Sequence, residues 1–190
     1  MTVDEYLRFD ERSPMRHEYV GGEVFAMSGV TLRHNRISRN IVVALSAAAG
    51  DGPCEVFSDV VRLRAASDTY YYPDVMVVCV PTAELDVIVT EPCVVVEVTS
   101  PSTARIDRGE KLMAYRAIPS VRAYLIVDHR RKRVEGHWRD AANADWIREE
   151  VVGDGRIRDP CLDAELSLDV IYRRVDLATI AEPEVTDYEA

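Results

Sequence analysis

Cys93 to Tyr115 reads CVVVEVTSPSTARIDRGEKLMAY, and its first six residues are five apolar ones, four of them valine, around a single carboxylate, Glu97. Such a run predicts a strand buried on both faces. An ionised carboxylate in an apolar layer is costly unless it is protonated, paired with a cation or bound to a metal. Glu97 therefore points to chemistry or to a buried salt bridge. Ser100 and Pro101 break the strand, and Ser102 or Thr103 can cap a helix that runs to about Ala117 and ends before Pro119. On that helix Asp107, Lys111 and Tyr115 recur every four residues and share one face.

The anomaly repeats upstream. Pro73 and Asp74 open a second apolar run, Val75 to Cys79, behind a proline that cannot donate to a sheet ladder. If the two strands are neighbours, Asp74 and Glu97 lie together at one end of the sheet, where like charges repel unless a divalent cation lies between them. Such a pair is a magnesium site.

At 190 residues, 47% hydrophobic and 29% charged, the chain fits one globular domain over 1–180, with a loose acidic tail over 181–190. No apolar run is long enough to span a bilayer, and the N-terminus lacks a basic region followed by an apolar one, so a cytoplasmic protein is expected. Cys54, Cys79, Cys93 and Cys161 are widely spaced without a CxxC pair and read as reduced core residues, neither zinc ligands nor disulfides. The net charge of −10 argues against nonspecific coating of nucleic acid, so any polyanion must meet a local patch. Of the 23 basic residues only Lys111 and Lys132 are lysines, which makes Lys111 stand out.

Taken in order, Thr2 to Phe9 predicts a short helix with Thr2 and Glu5 in capping-box spacing. A hairpin follows around Gly21 and Gly22. Glu18 and Glu23 flank that turn, and either could lean toward a metal site, although hairpin glutamates are usually solvated. Leu32 to Ala49 is the longest helical pattern, terminated by Gly50. His34 extends its inward stripe, either as a core histidine bonded to backbone or at the rim of a site. Arg33, Arg36 and Arg39 make a basic edge on the same helix, suited to a nucleic-acid backbone or simply to water.

Glu55 to Arg64 predicts one strand or two joined at Asp59, and Pro81 to Pro92 a surface connector. Val121 to Val127 predicts a strand ending at Asp128. The basic turn beyond it, with Arg130, Arg131, Lys132 and Arg133, is the best candidate DNA contact, although charged hairpin tips commonly serve solubility. Strands are expected near Val134 to Trp138, Ala144 to Val152 and Arg156 to Arg158, the last two joined by Gly153 to Gly155, then a helix from Leu168 to Arg174.

This order of parts resembles the PD-(D/E)XK nuclease superfamily, and more closely its Uma-type family of restriction endonucleases, over about Arg16 to Trp138. The residues that carry the likeness are His34, Pro73-Asp74, EVTSPST from Glu97 to Thr103, Asp107, Lys111, Tyr115 and YLIVD from Tyr124 to Asp128. The resemblance implies an α/β fold with a restriction-endonuclease-like core, a central mixed sheet flanked by helices, with additional N-terminal and C-terminal hairpins. It also implies that Asp74, Glu97 and the backbone carbonyl of Val98 ligate Mg2+ or Mn2+. The superfamily's usual lysine two residues after the glutamate is absent, since Thr99 stands there, and in the Uma-type pattern the role moves to Lys111. Asp107 and Tyr115 would orient Lys111, and His34 could contact phosphate. The product would be a 5′-phosphate and a 3′-hydroxyl.

Three functions compete. The first is a metal-dependent DNA endonuclease, acting as a homodimer because cutting both strands favours two sites. The second is a nuclease-like binding or regulatory module without catalysis, which the acidic balance favours. The third is a structural domain whose buried acids are paired by Lys111 and an arginine, a costly use of two acids on adjacent apolar strands.

Overall fold

The computed structural model describes residues 1–100 and 103–178. Pro101, Ser102 and the tail over 181–190 lie outside the described residues. Helix α1 (Val3–Arg12) starts with the expected capping box, the Thr2 hydroxyl accepting the Glu5 amide while Glu5 accepts the Thr2 amide. Strands β1 (His17–Val20) and β2 (Glu23–Ala26) turn on Gly21 and Gly22, whose φ of 57° and 100° suits the tight two-residue turn. Helix α2 (Leu32–Ala49) runs from a Thr31 cap to Gly50, as its stripe of apolar residues predicts.

Strands β3 (Glu55–Ser58), β4 (Arg62–Ala66), β5 (Thr69–Tyr71), β6 (Val75–Val78), β7 (Ile88–Val89) and β8 (Val94–Thr99) follow. The crossover to β9 (Ala123–Asp128) passes through α3 (Ala104–Ile106), a π-helical turn (Asp107–Lys111) and α4 (Leu112–Ala117). The described chain closes with β10 (Arg133–Trp138), β11 (Ile147–Val152), β12 (Arg156–Asp159), β13 (Ala164–Ser167) and α5 (Leu168–Ile171).

Two mixed sheets form, in strand orders β2-β1-β5-β4-β7 and β11-β10-β9-β8-β6-β3, beside a β12-β13 pair. The parallel pairs are β4 with β7 and β8 with β9. The six-stranded sheet is covered on both faces, which is why β6, β8 and β9 read as unbroken apolar runs. Val75, Val77, Val94 and Val96 face Ile37, Ile41 and Leu45 of α2. On the other face Met76, Val95 and Ile126 meet Tyr115 and Ile118 from the crossover. Each fully buried valine or leucine contributes about 1.5–3 kcal/mol, and this double layer fixes where the polar residues between the valines must point.

Several expectations need correction. The N-terminal hairpin is not an appendage, because β1 also pairs with β5 and so belongs to the five-stranded sheet. Of the two alternatives for Glu55 to Arg64 the structure takes the second, two strands meeting near Asp59, and places them in different sheets. The connector before Pro92 contains β7, which adds an edge strand to β4. The turn at Gly153 to Gly155 does not join a hairpin. Strand β12 leaves the sheet to pair with β13, which buries Ile157 and Leu166 in the core under α2. The last helix is shorter than its pattern and ends at Ile171.

The cysteines are also corrected, since Cys54 bonds to Cys79 and Cys93 to Cys161. Sequence separations of 25 and 68 hid these pairs; strand register brings the first together, since β3 and β6 align Glu55 with Val78, one step from Cys54 and Cys79. Alkylation of the unreduced, denatured protein should add no mass, and reduction should expose four thiols. Alkylation without reductant would count against the bridges. Among the described residues no helix is long and apolar enough to cross a membrane.

Candidate active site

Strands β6 and β8 are antiparallel neighbours with Val75 opposite Val96, so Asp74, one residue before β6, comes beside Glu97. The Val98 amide donates to Asp74 Oδ2 at 2.7 Å, which pins the carboxylate to the strand that carries Glu97. From the other face α2 delivers His34, whose Nε2 lies 3.3 Å from the same oxygen. Burial lowers the His34 pKa, but Asp74 and the Val98 carbonyl outweigh it and leave the imidazole above its ordinary value. Its Nδ1 is buried without a hydrogen-bond partner.

Asp107, Lys111 and Tyr115 do share the inward side of the crossover, although not through a regular α-helix. Asp107 and Lys111 sit at the two ends of the π-helical turn, where backbone bonds reach one residue further than in an α-helix and the turn widens, a departure that recurs at functional sites. Lys111 Nζ donates to Glu97 Oε1 at 3.0 Å and lies 2.8 Å from Glu18 Oε1, with the Tyr71 ring centroid 5.2 Å away. The Tyr115 hydroxyl donates to the same Glu97 oxygen at 2.8 Å. Both bonds use Oε1 and neither uses Oε2. Asp107 lies behind, its carbonyl accepting the Tyr124 hydroxyl at 3.0 Å and its Oδ2 buried without a hydrogen-bond partner among the described residues.

The electrostatics follow from burial. Removal from water pushes Glu97 up to about 8; Lys111 pulls it back only in part, because Asp74, Asp107 and Glu18 repel its negative charge. Asp107 rises to about 6, again through burial first, with Lys111 and Thr103 opposing. Burial would lower Lys111, yet Glu97, Glu18 and Asp107 hold it well above the ordinary lysine value. The ammonium is therefore permanent and the carboxylates around it are in excess.

Glu18 is the site residue that sequence reading missed. His17 and Tyr19 are buried in the N-terminal layer, so alternation along β1 turns Glu18 to the opposite side, toward Lys111. The alternation was visible, but the sheet that β1 joins was not. Glu23 is exposed, as expected.

Of the candidate DNA contacts, Arg33 and Arg36 are half-buried on α2. Arg130 and Arg131 are exposed, with amides bound to the Asp128 carboxylate. Because Thr99 pairs with Asp128, their turn follows the sheet end that carries Glu97. Lys132 is already held by Asp154 at 2.8 Å and Asp169 at 2.5 Å.

A second charged cluster ties the crossover to β10. Glu135 receives Arg148 at 2.9 Å, His137 at 3.0 Å and Arg108, from the π-helical turn, at 3.3 Å. Burial alone would raise it, but Arg148, His137 and Arg108 hold it down at about 2. A depressed carboxylate stabilises the fold above its unfolded value near 4.5, and that contribution is lost as pH falls toward 2. Discounted for the exposed Arg148, the effect is on the order of 2 kcal/mol. Urea titrations should show wild type exceeding Glu135→Gln above pH 5, with the gap closing below pH 4. A gap that stays constant with pH would refute the assignment.

Acids on paired strands at one end of a mixed sheet, with a lysine from the following crossover, define a restriction-endonuclease-like α/β domain. The chain belongs to the Uma2 family, described as "Putative restriction endonuclease", whose pattern matches residues 3–171. Two proteins of Synechocystis sp. (strain ATCC 27184 / PCC 6803 / Kazusa) are similar to it. Uncharacterized protein sll1609 is 34% identical over 158 residues, covering 81% of this chain and 89% of the relative. Uncharacterized protein slr1290 is 30% identical over 175 residues, covering 91% and 92%. The fold matches the crystal structure of "a putative nuclease belonging to DUF820" from Anabaena variabilis ATCC 29413, with a TM-score of 0.74 at 17% identity, over 90% of this chain and 97% of that one.

Proposed function

We propose that this protein is a divalent-metal-dependent endonuclease that hydrolyses DNA phosphodiester bonds, with Asp74, Glu97 and the Val98 carbonyl as metal ligands and Lys111 as the catalytic cation. The observation that carries the reading is Lys111 Nζ at 3.0 Å from Glu97, on a strand that also bonds Asp74. The residues suit Mg2+ or Mn2+ on charge and donor type. Four carboxyl groups, Glu18, Asp74, Glu97 and Asp107, outnumber the two cationic side chains Lys111 and His34, and the mutual repulsion that raises Glu97 and Asp107 is what a bound cation would relieve, while oxygen donors suit hard divalent ions. Among the described residues no three His, Cys, Asp or Glu side chains could by themselves hold a metal; the proposed set uses two carboxylates and a backbone carbonyl.

A divalent ion bound there would polarise the scissile phosphate and acidify a water. The protein's own groups do the rest. Tyr115 and Lys111 fix Glu97 through Oε1, so that Oε2 serves as ligand. Lys111, a permanent ammonium, offsets charge on the phosphate oxygens and orients the attacking water. Asp107 sustains its charge, and His34 stands where it can donate to a phosphate oxygen. The products would carry a 5′-phosphate and a 3′-hydroxyl. Arg130 and Arg131 would meet the backbone, and a homodimer would bring two sites to one duplex, which sedimentation can measure.

The test is relaxation of supercoiled plasmid by wild type and Glu97→Gln in Mn2+ or in chelator. Nicking should require both metal and Glu97. No nicking at millimolar metal would end the endonuclease reading in favour of a binding or regulatory module, which the net charge of −10 and the ion-paired Lys132 support.

A further inference from the structure

Beside the site, α2 and the start of the β3–β4 connection wall off a cavity of about 220 Å³ that reaches Asp74 and His34. At ~30 Å³ per water it equals about seven waters, enough for a single heterocycle and below the ~300–1,000 Å³ of pockets for larger ligands. Its polar wall consists of Asn35, Ser38, Ser58 and Asp59, and its apolar surface comes from Val30 and Val42. Arg39 stands exposed on the same wall. Away from Asp74, which the proposed metal would occupy, the Asp59 carboxylate repels a second phosphate from the cavity, whereas an uncharged ring with hydrogen-bonding edges meets both kinds of surface.

We infer that this cavity binds one nucleobase of the nucleotide next to the scissile phosphate, so that the preferred substrate is single-stranded, mismatched or able to flip that nucleotide out of a duplex. The inference rests on the nucleic-acid reading above. A base reaches such a pocket only when unstacked and unpaired, and substrates already unpaired avoid that cost. Arg39 would then take the backbone outside the cavity, and the Asp59 carboxylate accepts from an exocyclic amino group, disfavouring thymine or uracil beside the cut. The ion pair of Asp59 with Arg16, at 3.4 Å, holds that carboxylate in place.

The test measures binding and cutting separately. Oligonucleotides carrying 2-aminopurine at a mismatch, in a single strand or in a perfect duplex are titrated with protein in Ca2+, which supplies a divalent ion for binding, and then incubated in Mn2+. The unpaired forms should bind about tenfold more tightly, brighten as the base unstacks, and be cut first. Asn35→Leu, at an exposed helical position, replaces a hydrogen-bonding edge of the cavity with an apolar one of nearly the same shape and should abolish the preference. Equal binding of paired and unpaired forms, no binding, or a preference untouched by Asn35→Leu overturns the inference. Nicking of perfect duplex without preference leaves the endonuclease standing and removes the base pocket. Selective binding of unpaired bases without cleavage in Mn2+ supports the pocket and removes the endonuclease.

Discussion

Asp74→Asn is expected to abolish manganese binding and slow metal-dependent cleavage about a thousandfold while leaving the fold at least as stable as wild type. Asparagine keeps a side-chain oxygen to accept the Val98 amide, now bonded at 2.7 Å, so the link between the two strands survives. What disappears is a negative charge that repels Glu97 and Asp107. A lost carboxylate ligand removes roughly 4 kcal/mol of transition-state stabilisation, and each 1.36 kcal/mol is tenfold in rate. Relief of repulsion acts in the opposite direction on the fold, the usual tension between activity and stability at a strained site. Calorimetric titration with Mn2+, plasmid nicking and a thermal melt check the three parts together. Wild-type metal affinity in the variant would remove Asp74 from the ligand set. A large drop in melting temperature would mean that the carboxylate chiefly holds the strands together.

How far the site could be read in advance depended on whether local pattern or long-range pairing determined each residue. Asp74 and Glu97 were legible because a carboxylate inside a valine run violates the pattern around it, and the violation needs no knowledge of neighbours. Lys111 and Tyr115 were legible from helical spacing, even though the turn between Asp107 and Lys111 is π-helical; no propensity distinguishes that widening from an α-turn. Helix α2 declared its C-terminal end through Gly50, while its Thr31 cap went unread. Glu18 was not legible, because only the pairing of β1 with β5 brings it to Lys111. The same limitation hid the disulfides and sent β12 to β13 against the short glycine turn that pointed to β11. For Glu18 and the Cys54–Cys79 bridge, strand partnership across tens of residues outweighed a correct local signal, whereas β12 was drawn away by the short hairpin it makes with β13.

Lys111→Met is expected to lower stability by about 3–5 kcal/mol at neutral pH, since it leaves buried carboxylates without their cation, and so to lower the melting temperature by on the order of 10 °C. Methionine preserves the apolar stem against Tyr71, so the loss is that of the ammonium that Glu97 and Glu18 share. The pH dependence has a definite sign. Glu97 and Asp107 bind protons more tightly in the fold than when unfolded, so their contribution is full below their ordinary values near 4.5 and 3.8 and fades as pH rises through about 8 for Glu97 and about 6 for Asp107. Without Lys111 those windows extend upward, and the deficit should be smallest near pH 5 and largest above pH 8. Cleavage should also fall by about 10²–10³, which unfolding alone could mimic. Adding Glu18→Gln separates the causes, because it removes one excess carboxylate without touching a proposed metal ligand. If the double variant regains stability and remains inactive in Mn2+, Lys111 acts in the reaction. If activity returns together with stability, its ammonium serves only to balance buried charge, and the water and the phosphate must be positioned by His34 and the metal alone.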